Sequence, residues 1–129
     1  MIKKTITYTD YNGVEHSEDF YFNISRAEMI EMQYGTTGGY SEMIQAMVKA
    51  DDVPALTATF TNFIKKAYGE KSLDGKRFMK SEEISNAFVQ TDAYSELLME
   101  LLTNTDSAIA FINGCFPTDI AKSINDIEN

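Results

Sequence analysis

A few side chains of this 129-residue chain are of types that can carry out chemistry. The single histidine, His16, is followed closely by Glu18 and Asp19, and such a group of donors could bind a metal ion. A metal needs three or four ligands that converge in space, and no other soft ligand is near His16 in the sequence. We therefore predict that His16 is a surface residue on an edge strand and that the chain has no metal site.

The single cysteine, Cys115, could in principle act as a nucleophile with His16 as its base. It follows Gly114 at the end of an apolar helical pattern, and nothing electropositive nearby in the sequence would lower the pKa of its thiol. A buried structural thiol is the favoured interpretation. One cysteine allows no disulfide within the chain, which fits a reducing compartment.

Two acidic pairs resemble the paired carboxylates of acid and base catalysis. Both pairs, Asp51-Asp52 and Glu82-Glu83, stand where helices are predicted to begin, and negative charge there stabilises the helix dipole. The glycine-rich stretch 35–39 lacks the Gly-Lys-Ser/Thr ending of a phosphate-binding loop, so a turn is predicted. We predict no catalytic residue, no cofactor and no enzymatic activity.

The charge balance limits the partners that the chain can have. Twenty acidic residues stand against eleven basic ones, and the formal net charge is -9. This charge repels nucleic acid and anionic membranes, so we expect neither as a partner. The N-terminal segment lacks the continuous apolar run of a secretory signal, and we expect a cytosolic protein.

An alternation of polar and apolar residues from Ile2 to Ile24 predicts a two-stranded hairpin. The loop length follows from the apolar face. A two-residue Asn-Gly loop would turn Phe20 and Phe22 away from Ile6, because a slip of one residue inverts every side chain. A three-residue loop at 11–13 keeps these side chains on one face and puts Gly13 where a left-handed conformation is needed.

Helical apolar spacing follows the hairpin. A Ser25–Glu28 capping box predicts a helix that ends at Gly35, and a second helix is predicted from Tyr40 to about Ala50. The clearest apolar stripe predicts a helix from Val53 to Ala67. The stripe consists of these residues: Val53, Leu56, Phe60, Phe63, Ile64 and Ala67.

Three short helices are predicted after Gly75. Ser81, Thr91 and Thr105 stand just ahead of apolar periods, where their side chains can cap helix N-termini, and Gly114 then Pro117 close the run. We expect Leu97 and Leu101 in the core, together with these residues: Ile84, Ala87, Phe88, Tyr94, Leu98, Ala108, Ile109, Phe111, Ile112 and Cys115.

We predict an α+β fold in which an N-terminal β-hairpin packs on a bundle of about six short helices. Residues 1–117 are expected to form a single domain, with the hairpin at 1–24 and the helices at 25–117. Residues 118–129 form a C-terminal tail or a short helix. Ile120, Ile124 and Ile127 in this tail are spaced as on a helix and are predicted to contact a partner.

Basic residues cluster in one part of this acidic chain. Six of the eleven lie between positions 65 and 80. Such polarity suits an acidic partner or head-to-tail self-association, although a solvated loop has the same composition. We predict that the segment just before the fourth helix binds a partner through these residues: Lys76, Arg77, Phe78, Met79 and Lys80.

Residues 75–117 contain GKRFMKSEE, FVQTDAYSELLMELLTN and AIAFINGCFP in order. In this segment the sequence resembles the tail assembly chaperones of bacteriophages with long, flexible, noncontractile tails. The hairpin that precedes the helices is similar too, so the resemblance covers nearly the whole chain.

The resemblance implies a non-enzymatic protein that coats the tape measure protein and recruits major tail tube subunits during tail assembly. It implies that the protein acts in the cytoplasm of the infected host and is absent from the mature virion. The family often makes a longer product by ribosomal frameshifting, and this chain would be the short form. The alternative is a structural tail or connector component of the virion.

Overall fold

The structure of the chain is a computed structural model, and it describes residues 1–35, 49 and 53–117. The described residues form a four-stranded antiparallel sheet of order β1-β2-β3-β4 and five helices. The strands are β1 (Ile2–Thr9), β2 (Glu15–Phe22), β3 (Tyr68–Lys71) and β4 (Phe78–Met79). The helices are α1 (Arg26–Gly35), α2 (Val53–Ala67), α3 (Glu82–Val89), α4 (Asp92–Thr103) and α5 (Thr105–Cys115).

The predicted α+β class and the N-terminal hairpin are confirmed, and two details of the prediction are corrected. The described residues contain five helices where the prediction gave about six; the predicted helix at 40–50 falls outside the described residues. Between α2 and α3, where the sequence predicts no strand, the chain forms a second hairpin, β3–β4. Its strands have only four and two residues, so they are too short to show the apolar alternation that marks a strand in the sequence.

The first hairpin has the predicted register and loop. Ile6 lies opposite Glu18, and Ile2 lies opposite Phe22. The Asp10 N–H donates to the Val14 carbonyl at 2.8 Å, and the Gly13 N–H donates to the Asp10 carbonyl at 3.0 Å. Gly13 has a φ of 82°, which a glycine adopts without strain. The three-residue loop is therefore confirmed, and both apolar sets lie on one face.

Two of the predicted helix starts are confirmed by their hydrogen bonds. The Ser25 N–H donates to Glu28 Oε1 at 2.9 Å, and the Glu28 N–H donates to Ser25 Oγ at 3.1 Å, which is a reciprocal capping box. At the start of α3, Ser81 Oγ accepts from the Ile84 N–H at 3.0 Å.

The other two predicted caps are corrected. Thr91 occupies the N-cap position of α4, but its hydroxyl donates to the Phe88 carbonyl at 2.7 Å and caps nothing. The cap of α5 is Asn104, whose Oδ1 accepts from the Ser107 N–H at 3.0 Å. Thr105 is the first residue of the helix, so the helix begins one residue earlier than the predicted cap implied. Asparagine is at least as favourable as threonine at the N-cap position, which accounts for Asn104 as the cap in place of Thr105.

The core lies between the first hairpin and the helices. Helices α4 and α5 pack against β1, and α2 packs against α3 and α4. The Phe22 ring of β2 is 5.1 Å from the Phe111 ring and 5.7 Å from the Phe88 ring, both in edge-on contact. Leu97 and Leu101 are each 2% exposed, which confirms their predicted burial.

Three residues of the predicted pattern have other positions. Val53 begins α2 and is 53% exposed, and Ala87 is exposed on α3, so both are wrong as core residues. Gly114 lies inside α5 and does not end it. A Cβ atom at Gly114 would come within 2.8 Å of Ile2 Cδ1, so glycine lets β1 approach α5 closely.

Candidate partner-binding surface

The second hairpin carries much of the basic segment to the side of the sheet opposite β1. Gly69 of β3 pairs with Tyr21 of β2, and Tyr68 pairs with Phe22. Strand β4 then pairs with β3. The chain thus leaves α2, extends the sheet and returns to α3, which exposes the loop 72–77 at the end of the hairpin.

This loop is held by hydrogen bonds of its own. The Ser72 N–H donates to the Arg77 carbonyl at 2.9 Å, and the Gly75 N–H donates to the Ser72 carbonyl at 2.9 Å. Asp74 Oδ1 accepts from Ser72 Oγ at 2.6 Å and from the Lys76 N–H at 3.0 Å. These bonds, the one from Ser72 first, lower the pKa of Asp74 below its ordinary value. Gly75, with φ 73°, supplies the left-handed residue of the turn.

The fixed loop presents an apolar side chain among cations. Leu73 at its tip is fully exposed, at 110% relative accessibility. Lys76 and Arg77 of the same loop are also exposed. At the base of the hairpin, Lys71 Nζ lies 4.2 Å from the centroid of the Tyr21 ring. Singly exposed apolar residues are common, but one held rigidly beside cations in an acidic chain is a candidate contact for a partner.

Leu73 was missed by the sequence analysis. It has no helical or alternating apolar neighbours, so periodicity gives no signal for it. The available signal was local, because Asp74-Gly75 between two short segments is a turn dipeptide and a leucine just before it must lie at the turn.

Gly69 sets the position of Phe78 in the hairpin. A Cβ atom at Gly69 would lie 2.6 Å from Phe78 Cε2 and 2.8 Å from the Met79 carbonyl oxygen. The Phe78 ring therefore lies directly on the β3 backbone. Phe78 and Met79 are half-buried, and they hold the hairpin together.

Lys80 ties the second hairpin to the first and to α1. Its Nζ donates to the Asn23 carbonyl at 2.6 Å and to both carboxylate oxygens of Glu28 at 2.8 and 2.9 Å. Burial acts to raise the pKa of Glu28, but the hydrogen bonds from Lys80 and Ser25 outweigh it, and that pKa is lowered. The Lys80 side chain is only 22% exposed, so most of it is inside the protein.

The predicted partner residues therefore differ in their accessibility to solvent. Lys76 and Arg77 are exposed on the loop, Phe78 and Met79 are half-buried in β4, and Lys80 is engaged by Glu28. The predicted residues of the tail lie outside the described residues: Ile120, Ile124 and Ile127. We define the hairpin surface as Lys71, Leu73, Lys76 and Arg77.

Comparison with known proteins decides the class of the protein. The family model described as phage tail assembly chaperone matches residues 1–128. The chain belongs to this family. No curated protein and no solved structure matches it significantly. Membership confirms the expected resemblance and indicates a phage assembly factor with a non-enzymatic role.

In the chaperone, His16 contacts two other residues of the first hairpin, Asp10 and Tyr8. Its Nε2 is 2.6 Å from Asp10 Oδ2, and its ring stacks on Tyr8 at 5.4 Å. The hydrogen bond to Asp10 raises the pKa of His16, and a hydrogen bond to Glu18 raises the pKa of Tyr8 to about 12. Strand β2 lies between β1 and β3, so it is not the predicted edge strand, but it pairs with β3 only at its last two residues, and His16 lies outside that pairing with its side chain partly exposed. In the part of the chain that the structure describes, no three potential ligands are grouped to hold a metal.

The other candidate reactive groups have structural positions. Cys115 is buried, and burial raises the pKa of its thiol to about 12, so it is protonated at neutral pH. The predicted structural thiol is confirmed. Glu82 and Glu83 lie in the first turn of α3, as predicted. Asp51-Asp52 and positions 36–39 lie outside the described residues.

Across residues 1–35 and 53–117, no helix combines the length and apolar character that a bilayer crossing requires.

Proposed function

We propose that this chaperone binds the tape measure protein during tail morphogenesis, keeps its long apolar helices soluble and recruits major tail tube subunits. It does so without catalysis, in the cytoplasm of the infected host, and it leaves before the virion is mature. Family membership supports the assembly role. The observation that carries the binding role is the rigid hairpin surface, which sets an exposed leucine among cations.

The chemistry of the hairpin surface suits an amphipathic helix with acidic residues beside its apolar stripe. Leu73 would enter the stripe, and Lys76 and Arg77 would pair with the carboxylates next to it. The loop is already ordered by its own hydrogen bonds, so less conformational entropy is lost when it binds. The chaperone's net charge of -9 would then keep the coated helix in solution.

Co-expression tests this proposal. The tape measure protein is produced alone, with the wild-type chaperone, and with a variant that carries Leu73→Asp, Lys76→Glu and Arg77→Glu. We expect the wild-type chaperone to bring the tape measure protein into the soluble fraction and to be retained with it on an affinity tag, and we expect the variant to do neither. The matched control is Tyr11→Asp, because Tyr11 is an 86% exposed apolar residue at the loop of the first hairpin.

Two outcomes would contradict the proposal. If the tape measure protein stays insoluble with the wild-type chaperone, the binding role is wrong. If the triple variant solubilises the tape measure protein as well as the wild type does, the tape measure protein is a partner but the hairpin surface does not bind it.

Mature particles test the transient role. Mass spectrometry of purified virions is expected to find tail tube subunits but no chaperone. Stoichiometric chaperone in the particle would instead support a structural tail or connector component.

A further inference from the structure

Among the residues that the structure describes, no strand pairs with the outer edge of β1. This strand is the first of the sheet, and among the described residues its only strand partner is β2. The Asp10 N–H donates to the Val14 carbonyl, and ladder bonds alternate along an antiparallel pair. The peptide groups of even-numbered β1 residues therefore bond to β2. Those of Lys3, Thr5, Thr7 and Thr9 point away from it, toward the open edge.

The other edge of the hairpin confirms this alternation. Tyr21 of β2 pairs with Gly69, and the Asn23 N–H donates to the Ala67 carbonyl at 2.8 Å. The peptide groups of odd-numbered β2 residues therefore point away from β1, as the alternation of ladder bonds requires.

An open cleft of about 210 Å³ runs beside this edge. Strand β1 and helix α4 line it with these residues: Lys4, Thr5, Ile6, Thr7, Glu96, Leu97 and Glu100. Glu100 accepts from Lys4 Nζ at 2.7 Å, while Glu96 is exposed. The cleft thus combines a row of backbone donors and acceptors with the exposed carboxylate of Glu96, since the charge of Glu100 is already balanced by Lys4.

We propose that the β1 edge binds an extended basic segment of another protein by strand addition, with the segment lying antiparallel or parallel to β1 in this cleft. Main-chain hydrogen bonds to Thr5 and Thr7 supply affinity, and alternate side chains of the added strand face α4. A Lys or Arg at such a position meets Glu96.

Charge favours a foreign segment over a second copy of this chain. Pairing of two β1 strands about a two-fold axis would bring Glu96 and Glu100 of both copies to one seam, between chains that each carry a net charge of -9. A basic segment instead pairs with Glu96, which lacks the cation that Lys4 gives to Glu100. This surface is separate from the hairpin surface, which is basic and lies on the opposite side of the sheet, so the inference does not depend on the proposed tape measure contact.

The test uses a synthetic peptide as long as β1 that alternates threonine with lysine and valine, titrated into the full chain and followed by NMR. We expect saturable binding that shifts the amide signals of Thr5 and Thr7 and slows their hydrogen exchange. A peptide with glutamate in place of lysine, and one N-methylated at every second peptide bond, should each bind about tenfold more weakly or worse. Absence of saturable binding, or equal binding by the N-methylated peptide, overturns the proposal.

Two substitutions test the two walls of the cleft. Thr7→Pro removes an outward N–H that β2 does not use and should weaken binding about tenfold, whereas Thr7→Val, which keeps that N–H, should not. Glu96→Lys should weaken binding by a similar factor, and Glu31→Lys, an exposed site on α1 away from the cleft, should leave it unchanged. If sedimentation shows that the wild type dimerises and Thr7→Pro does not, a second copy occupies the edge and the proposed occupant is wrong.

Discussion

The two hairpins of the sheet differ in the interactions that stabilise them. The first has strands of eight residues whose apolar face is covered by helices, with Ile6 and Phe22 buried. The second has strands of four and two residues, and its loop exposes Leu73 completely. Side-chain burial stabilises most of the first hairpin. In the second, Tyr68 at the start of β3 is the buried apolar side chain, and pairing to β2 and the bonds within the loop contribute a larger share.

This difference separates stability from recognition. A residue that supports the first hairpin removes apolar area from water, and its loss is felt by the whole fold. Leu73, at the tip of the second hairpin, is fully exposed, so its replacement removes no buried apolar area. We therefore expect substitutions near the first hairpin to lower the free energy of unfolding, and substitutions on the hairpin surface to change binding alone.

Leu97→Ala should have the largest effect on stability. Leu97 is 2% exposed on α4, which packs against β1, so its truncation leaves a cavity. We expect a loss of about 2 to 5 kcal/mol in the free energy of unfolding, measured by urea denaturation. Met99→Ala is the control on the same helix, because Met99 is 61% exposed. Equal and small effects of the two substitutions would contradict the core assignment.

Gly69→Ala should have the next largest effect. The added Cβ would lie 2.8 Å from the Met79 carbonyl oxygen, so the β4 backbone must move. We expect a loss of about 1 to 3 kcal/mol. Amide hydrogen exchange should show lost protection in β3 and β4 with protection retained at the β1–β2 pairs. Uniform loss across both hairpins would show that the second hairpin is not a separate unit.

Lys80→Met should cost about 1 kcal/mol at neutral pH, because it leaves the partly buried Glu28 carboxylate without its cation. The pKa of Glu28 is lowered in the folded protein, so its contribution to stability is present above its ordinary pKa of 4.5 and is lost as the pH falls through the lower folded value. The stability of the variant should therefore fall less steeply with acid than that of the wild type.

The control for this substitution is Lys76→Met, whose side chain is exposed on the loop. It should keep both the stability and the acid dependence of the wild type. An unchanged acid profile in Lys80→Met would show that the ion pair does not form in solution.

Leu73→Ala should have the smallest effect on stability, within about 0.5 kcal/mol of the wild type. Its side chain contributes nothing to the core, since it is fully exposed. Retention of the tape measure protein on the tagged chaperone should nevertheless fall. A clear loss of stability, or full retention, would remove the distinction between the two hairpins.

The ease of prediction follows the same division. Alternation placed β1 and β2, and the shared apolar face of Ile6 and Phe22 selected the loop length. The stripe through Leu56, Phe60 and Phe63 placed α2. The second hairpin has no such pattern, because its strands have only four and two residues. Its pairing partner, β2, also lies far away in the sequence, so no local signal indicates the pairing.

The partner residues could be predicted only in part for a related reason. The sequence shows that Lys76, Arg77 and Lys80 are basic, but it does not show which of them meets an internal carboxylate. Lys80 pairs with Glu28 across 52 positions, a contact that no local pattern records. Leu73 has the opposite problem, because an isolated apolar residue gives no periodic signal and its exposure follows from the turn geometry.

Hydrogen exchange of the chaperone alone and in complex with the tape measure protein tests the central claim most directly. The account predicts that bound tape measure protein slows exchange in the loop 72–77, around Leu73, and leaves the outer face of the first hairpin unchanged. A stable complex in which this loop exchanges as fast as in the free chaperone would contradict it.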